Sequence, residues 1–168
     1  AAALWDLAEA ARAQVRDFCA AHAPEASYRP GAAYGIYDQT DLAGLRAEAE
    51  HLEKRYGYRT EVLGQRGFAE LVKSPLYRGG MMDPGGGHVQ PLACVRALAR
   101  AAEAAGAVIH ETTEVTAITT RPRLVLSTPR GQVTAGHAII AGNGYLPNIL
   151  PQVNARVMPI NSFIAATE

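Results

Sequence analysis

The chain has 168 residues, with 16 basic side chains against 16 acidic ones and a formal net charge of zero. That balance argues against a nucleic-acid partner, which calls for a basic face, and against an acidic tail that recruits basic partners. An apolar share of 48% is enough for an ordinary globular core, and no apolar run reaches the ~20 residues of a membrane span.

Taken in order, residues 3 to 22 read as a helix. Leu4, Leu7, Ala8, Ala11, Val15, Phe18, Cys19 and His22 recur at helical spacing, with Asp6, Glu9, Arg12, Arg16 and Asp17 off that stripe. Ala23-Pro24 stops it. Gly31 to Gln39 is a predicted strand. Thr40 is placed to cap a second helix that buries Leu42, Leu45, Ala49, Leu52 and Tyr56 and closes at Gly57. Tyr58 to Leu63 is a short strand, Phe68 to Val72 a turn or two of helix, and Leu76 to Met82 a strand that enters the loop Gly85-Gly86-Gly87.

The clearest element follows. Pro91 stands at the first helical position, where its missing N–H costs nothing, and Gly106 stands where a left-handed cap ends the helix. Leu92, Val95, Leu98, Ala99 and Ala102 mark its expected buried face, and Val108-Ile109 restarts the chain as a strand. That is a helix-to-strand unit of an α/β layer. Beyond it lie three predicted strands, Thr113 to Thr119, Arg123 to Thr128 and Gln132 to Ala141, with Pro129 and Gly131 forming a turn between the last two. Links this short predict an antiparallel meander. Tyr145 to Leu150 is a loop or a turn of helix, and Val157 to Thr167 a final strand. The fold class is therefore a mixture of α/β and α+β features.

Few residues advertise chemistry. The glycines from Gly85 to Gly87 lie between a strand and a helix, yet neither a Walker A lysine nor a G-x-G-x-x-G pattern accompanies them. Either they adopt unusual φ values or they let a ligand approach the backbone closely. His88 follows them, as a binding residue or as one hydrogen-bonded to the loop backbone. His110 opens H-E-T-T-E, which lacks the last zinc ligand of H-E-x-x-H, and no G-x-S-x-G marks a serine nucleophile. No metal site is expected. His22, His51 and His137 read as structural or solvated. Tyr34, Tyr37, Tyr58 and Tyr77 are either packing residues of the strands or an aromatic wall for an amine. Ile139 to Gly144 is an apolar strand ending in small residues, which admit a ligand at the strand's carboxyl end. Cys19 and Cys94 fall in helices without C-x-x-C spacing. They read as reduced, buried thiols of a reducing compartment, the cytoplasm, rather than as a bridge.

Four passages together carry a resemblance. They are LWDLAEA from Leu4, YRPG from Tyr28 with AYGI from Ala33, GGMMDPGGGHVQP from Gly79, and PINSFIAATE from Pro159. They resemble the FAD-dependent oxidoreductases of the D-amino-acid oxidase superfamily, and within it the gamma-glutamylputrescine oxidoreductase group. Val115, then Thr128 and Gly131, then Ala138 to Gly144 also fit the superfamily pattern. The resemblance implies a partial FAD-binding domain from residues 1–30 and 91–144, interleaved with a partial substrate domain from residues 31–90 and 145–168. It implies that Val115 meets the adenine end of FAD, that Ala141, Gly142 and Asn143 lie along the dinucleotide, and that Gly86, Gly87 and His88 sit near the flavin ring. It carries over no catalytic side chain.

The implied parent protein oxidises a C–N bond by hydride transfer to flavin. Its substrate would be a small amine, gamma-glutamylputrescine or a relative, and oxygen would accept the electrons. The dinucleotide fingerprint and its ribose-binding acid do not occur in this sequence. The chain starts without methionine and stops inside a predicted strand, so it reads as an internal fragment. By itself it is expected to be inactive and to retain little or no FAD. The rival from another class is a non-catalytic binding or structural domain that keeps the fold without FAD.

Overall fold

The computed structural model describes residues 2–145, 149–160, 162 and 164. The chain separates into two compact units, Ala1–Val108 and Ile109–Glu168.

The first unit begins with helix α1, Ala2–His22, and a single 3-10 turn, Pro24–Ala26. Strand β1, Arg29–Ile36, follows, then helix α2, Leu42–Tyr56, strand β2, Glu61–Gly64, and helix α3, Gln65–Val72. Strand β3, Gly79–His88, and helix α4, Pro91–Ala104, complete it. The sheet order is β1-β3-β2 and both pairings are antiparallel, with Tyr34 and Val62 each opposite Met81.

The predicted helix signals operate, with one substitution. Gly57 adopts φ +65 and its N–H donates to Glu53 O, so it closes α2 as expected. Pro91 opens α4, and Gly106, at φ +94, donates its N–H to Glu103 O (2.9 Å). Ahead of α2, however, the capping carboxylate belongs to Asp38, whose Oδ1 accepts from Thr40 N at 2.8 Å. Thr40 sits inside the short 3-10 turn Gln39–Asp41 that the cap stabilises, so it receives the bond it was expected to supply.

Two expectations change in β3. The stretch Gly85 to His88 continues the strand rather than forming a loop: Pro30 and Arg29 of β1 pair with Gly87 and His88, while Gly85 and Gly86 lie in the bulge where the register shifts between Pro30 and Ala32. Nor do the three glycines adopt positive φ. A Cβ on Gly85 would lie 1.7 Å from Arg12 Nη1, and one on Gly87 would lie 2.5 Å from the Tyr28 hydroxyl. Close approach is the reason for glycine here, and the groups that approach are the protein's own.

The helices also bury other faces than the apolar stripes suggest. Along α4, Leu92, Val95 and Leu98 are more than half exposed, whereas Ala97 is buried and Ala93 and Cys94 pack against the cluster it forms with Cys19, Ala23 and Ala26. Small side chains let α4 approach both α1 and the 3-10 turn after it, and these contacts form the core of Cys19, Ala23, Ala26 and Ala97. Along α1, Leu4, Leu7 and Val15 are exposed, while the half-buried residues include Trp5, Glu9 and Arg12. The sheet has a second core, Phe68 of α3 packed over Gly35 and Gly80.

The second unit is built on the meander predicted from its short links. Strands β4, Ala117–Thr119, β5, Leu124–Thr128, and β6, Gly131–Ala135, pair antiparallel in that order. Thr128 faces Gly131 across a two-residue link, Pro129-Arg130. Thr128 Oγ1 accepts from Arg130 N (3.2 Å) and donates to Gly131 O (2.9 Å). A 3-10 turn, Asn143–Tyr145, and one helical turn, α5, Pro151–Asn154, follow.

Predicted strand shrinks at several places: Tyr37 to Gln39, Tyr58 to Thr60, Leu76 to Arg78 and Thr113 to Thr116 fall outside the observed strands. Val108-Ile109, residues 136–141 and residues 157–160 are irregular, since none has a ladder partner among the described residues. The rest of the predicted final strand and residues 146–148 of the predicted loop lie largely outside the described residues.

Candidate functional site

Two places in the first unit and one in the second bear on function. The first is a polar chain running from α1 to β3. Glu9 and Arg12, one helical turn apart on α1, form an ion pair. Arg12 Nη1 donates to the Tyr58 hydroxyl at 3.0 Å, and its guanidinium also lies 5.4 Å from the centre of the Tyr58 ring. The Tyr58 hydroxyl donates to Asp83 Oδ1. Asp83 Oδ1 also accepts from Gly85 N (3.0 Å) and Gly86 N (3.1 Å). These are the short-range bonds an aspartate makes to backbone two and three residues on. The aspartate therefore shapes the turn of backbone in front of Gly86 and Gly87 and also holds Tyr58.

Burial raises the Tyr58 hydroxyl to a pKa of about 12, and the neighbouring Asp83 carboxylate adds to the effect while Arg12 opposes it. At neutral pH the phenol is protonated and acts as the donor to Asp83.

This chain borders a cavity of about 530 Å³. Its walls are Trp5 and Ala8 of α1, Leu45, Glu48 and Leu52 of α2, and Tyr34, Met81 and Asp83 of the sheet, with Thr60 and Gly86 also lining it. Trp5 is fixed there by stacking on Tyr56 at 4.2 Å and by an edge contact with Tyr58 at 5.2 Å. Thr60 Oγ1 is buried and has no hydrogen-bond partner among the described residues.

The expected site residues of this unit fall close by. Gly86 lines the cavity. Gly87 and His88 are exposed at the end of β3, where His88 faces Arg29. The expected tyrosine wall divides. Tyr34 and Tyr58 line the cavity, whereas Tyr37 and Tyr77 pair with each other at 5.1 Å, and Tyr77 packs edge-on against Phe68.

In the second unit Val115 is half-buried just before β4. Ala141 and Asn143 are exposed, Gly142 is half-buried, and Gly142 O accepts from Tyr145 N at 2.9 Å. Asn143 takes φ 47 and lines a recess of about 350 Å³ with Gly144, Met158 and Pro159. Exposed backbone beside small side chains suits the adenosine and ribose edges of a dinucleotide. No cationic side chain and no free helix N-terminus lies among these residues, so they do not form a pyrophosphate site. At the start of α4 the Gln90 side chain already accepts from Ala93 N.

The residues that sequence reasoning missed are Glu9, Arg12, Thr60 and Asp83. Asp83 has a readable signal, since Asp-Pro-Gly-Gly is the composition of an aspartate that folds its own following backbone. By helical period Arg12 and Glu9 fall on the polar side of α1, and nothing in that period tells a paired polar face from a solvated one. Among the described residues no group of histidine, cysteine, aspartate and glutamate is placed to hold a metal, and no helix is long and apolar enough to cross a membrane.

Comparison with known proteins agrees with this architecture. The chain is 35% identical over 166 residues to the probable oxidoreductase OrdL of Rhizobium meliloti (strain 1021), covering 98% of this chain and 39% of that protein. It is 32% identical over 145 residues to the gamma-glutamylputrescine oxidoreductase of Escherichia coli (strain K12), covering 86% of this chain and 34% of that one. The chain thus spans little more than a third of the length of these relatives. Its fold is similar to that of glycine oxidase from Geobacillus kaustophilus, with a TM-score of 0.66 at 24% identity over 84% of this chain and 41% of that one. It is also similar to L-amino acid deaminase from Proteus vulgaris, with a TM-score of 0.69 at 16% identity over 85% of this chain and 35% of that one. Residues 1–168 match the family described as FAD dependent oxidoreductase (DAO), and the chain belongs to that FAD-dependent family.

Proposed function

We propose that this chain is part of an FAD-dependent oxidoreductase that oxidises the C–N bond of a small amine, gamma-glutamylputrescine or a related alkylamine. The observation that carries the reading is the family match over residues 1–168. The choice of amine is supported by the 32% identity to an enzyme named for gamma-glutamylputrescine.

On this reading Val115 and Ala141 to Asn143 hold the adenosine side of FAD through backbone groups, and Gly86, Gly87 and His88 lie near the flavin ring. Bound FAD would supply the hydride acceptor that turns the amine into an imine, which water then hydrolyses. The chain's own residues bind and orient. Asp83 ties down the backbone of Gly85 and Gly86, and the protonated Tyr58 keeps that aspartate hydrogen-bonded. The interleaved domain division is supported by packing within the first unit. Helices α1 and α4 share the core of Cys19 and Ala97, and strands β1, β2 and β3 form one sheet. The crossing between them falls at residues 27–30 and 89–90, where Gln90 N donates to Ala26 O at 2.8 Å. We also assign oxygen as the electron acceptor and the cytoplasm as the compartment, the latter supported by two unbridged cysteines.

The test is anaerobic mixing of the flavin-loaded full-length protein with gamma-glutamylputrescine, putrescine and glycine in turn. Loss of flavin absorbance with the first is the expected result, and peroxide on admitting air would support oxygen as acceptor. Flavin bleached by none of the three would overturn the amine assignment. A full-length protein that binds no flavin would favour the non-catalytic rival.

A further inference from the structure

We propose that Cys19 and Cys94 are an oxidation site: in the presence of peroxide they form a reversible disulfide that ties α1 to α4. They are the two cysteines of the chain, and both are free in the structure. Each stands on its own helix, Cys19 in α1 and Cys94 in α4. Cys19 is 2% exposed in the core it shares with Ala23, Ala26 and Ala97, and Cys94 packs against that same core. Burial, and then the Cys94 thiol beside it, push the pKa of the Cys19 thiol up. A disulfide demands Cα atoms about 4.4–6.8 Å apart, which two helices reach only where small side chains face each other. Ala23, Ala26, Ala93 and Ala97 supply that smallness here.

Cys94 is the half-buried member of the pair, so it is the one that solvent reaches. Its sulfur attacks one oxygen of hydrogen peroxide. The O–O bond breaks, Cys94 becomes a sulfenic acid, and the second oxygen leaves as water with the thiol's proton. The Cys19 sulfur then attacks the sulfenic sulfur. The S–O bond breaks, the S–S bond forms, and the Cys19 proton leaves with that oxygen as a second water. Two thiols are oxidised and one peroxide is reduced. The bridge encloses β1, α2, β2, α3 and β3, whose ends already meet where Gln90 N donates to Ala26 O at 2.8 Å. Closing so long a loop restricts the unfolded chain, so the bridge acts on stability while the packing of the two helices stays as it is. In a reducing compartment such a bridge is transient and reports on oxidant. Naming the oxidant as the enzyme's own product rests on the oxygen-dependent function proposed above, while the bridge itself does not.

The experiment treats the full-length protein with hydrogen peroxide, blocks the remaining thiols with N-ethylmaleimide and maps the tryptic peptides. Arg46 and Arg78 lie between the two cysteines in sequence, so trypsin places them on separate peptides. A joined pair holding Cys19 and Cys94, separated again by dithiothreitol, is the expected result. The oxidised protein should melt roughly 5 °C above the re-reduced one. Cys94→Ala, treated alike, should give neither the joined pair nor the rise. The peptides are read in the wild-type protein, so the test holds even where Cys94→Ala fails to fold. Sulfinic or sulfonic acid at either cysteine without a joined pair would overturn the proposal. So would a joined pair that forms only in urea, or an equal rise in folded Cys94→Ala. Because the peroxide is added, joined peptides in a protein whose flavin no amine bleaches would sink the enzymatic reading and leave this site standing.

Discussion

Tyr58 shows how one side chain joins fold to site. Its ring supports Trp5 and its hydroxyl links Arg12 to Asp83. Burial, with Asp83 beside it, lifts its pKa from 10.0 to about 12. A group whose folded pKa lies above its unfolded value stabilises fully below the unfolded value and loses that contribution as pH rises through the folded one. Stability should therefore hold up to about pH 10 and fall between there and about pH 12. The wild-type urea midpoint should drop across that window more steeply than that of Tyr58→Phe, which should start lower at neutral pH because it loses both hydrogen bonds. Parallel slopes in the two proteins would show that Tyr58 is not the titrating group. The sequence offered Tyr58 only as one of four tyrosines flanking strands. What singles it out is its meeting with residues 46 positions before and 25 after it, and a contact at such separation leaves no local pattern.

At the scale of elements, β3 is the centre of the first sheet and α3 is what covers one face of it. Phe68 is 2% exposed. A Cβ on Gly80 would lie 2.2 Å from its ring, so strand backbone and ring are in direct contact. Phe68→Ala should cost about 3–5 kcal/mol, the usual range for removing a buried phenylalanine, measured as a loss of urea stability in the full chain. A loss under about 1 kcal/mol would mean that this contact closes by rearrangement. The element level is also where the sequence was most and least legible. Helices were readable because their signals are local: Pro91, Gly106 and Gly57 act within a turn of where they stand. The hairpin at Pro129-Arg130 was readable for the same reason. Val108-Ile109 and residues 136–141 have strand composition, but a strand exists only when another backbone pairs with it. The faces that α1 and α4 bury differ from their apolar stripes because apolar spacing measures hydrophobicity and not which neighbour a face meets. Ala93, Cys94 and Ala97 meet α1 because they are small, and Leu92, Val95 and Leu98 do not.

For the whole molecule, the consequence is apolar surface that the described residues leave in solvent. Leu92, Val95 and Leu98 recur every third position along α4, so they form one continuous stripe, each more than half exposed. Ile139, at 92% exposure, and Met158, at 78%, add apolar surface in the second unit. Monomeric proteins rarely leave such stripes uncovered, since burying each large side chain is worth about 1.5–3 kcal/mol. The 168-residue chain on its own should therefore bind an apolar dye and scatter light as its concentration rises. The substitutions Val95→Lys and Leu98→Lys test α4 as the source. Both positions lie off the α1 contact made by Ala93, Cys94 and Ala97, so helix packing should survive. Exposed substitutions of this kind usually stay within about 0.5 kcal/mol, which leaves the melting temperature within a few degrees. Together they should lower dye fluorescence and scattering at an unchanged melting temperature. If scattering stays the same, association runs through another surface. If the melting temperature instead collapses, the stripe is packed within the chain and the exposed face of α4 is wrongly assigned.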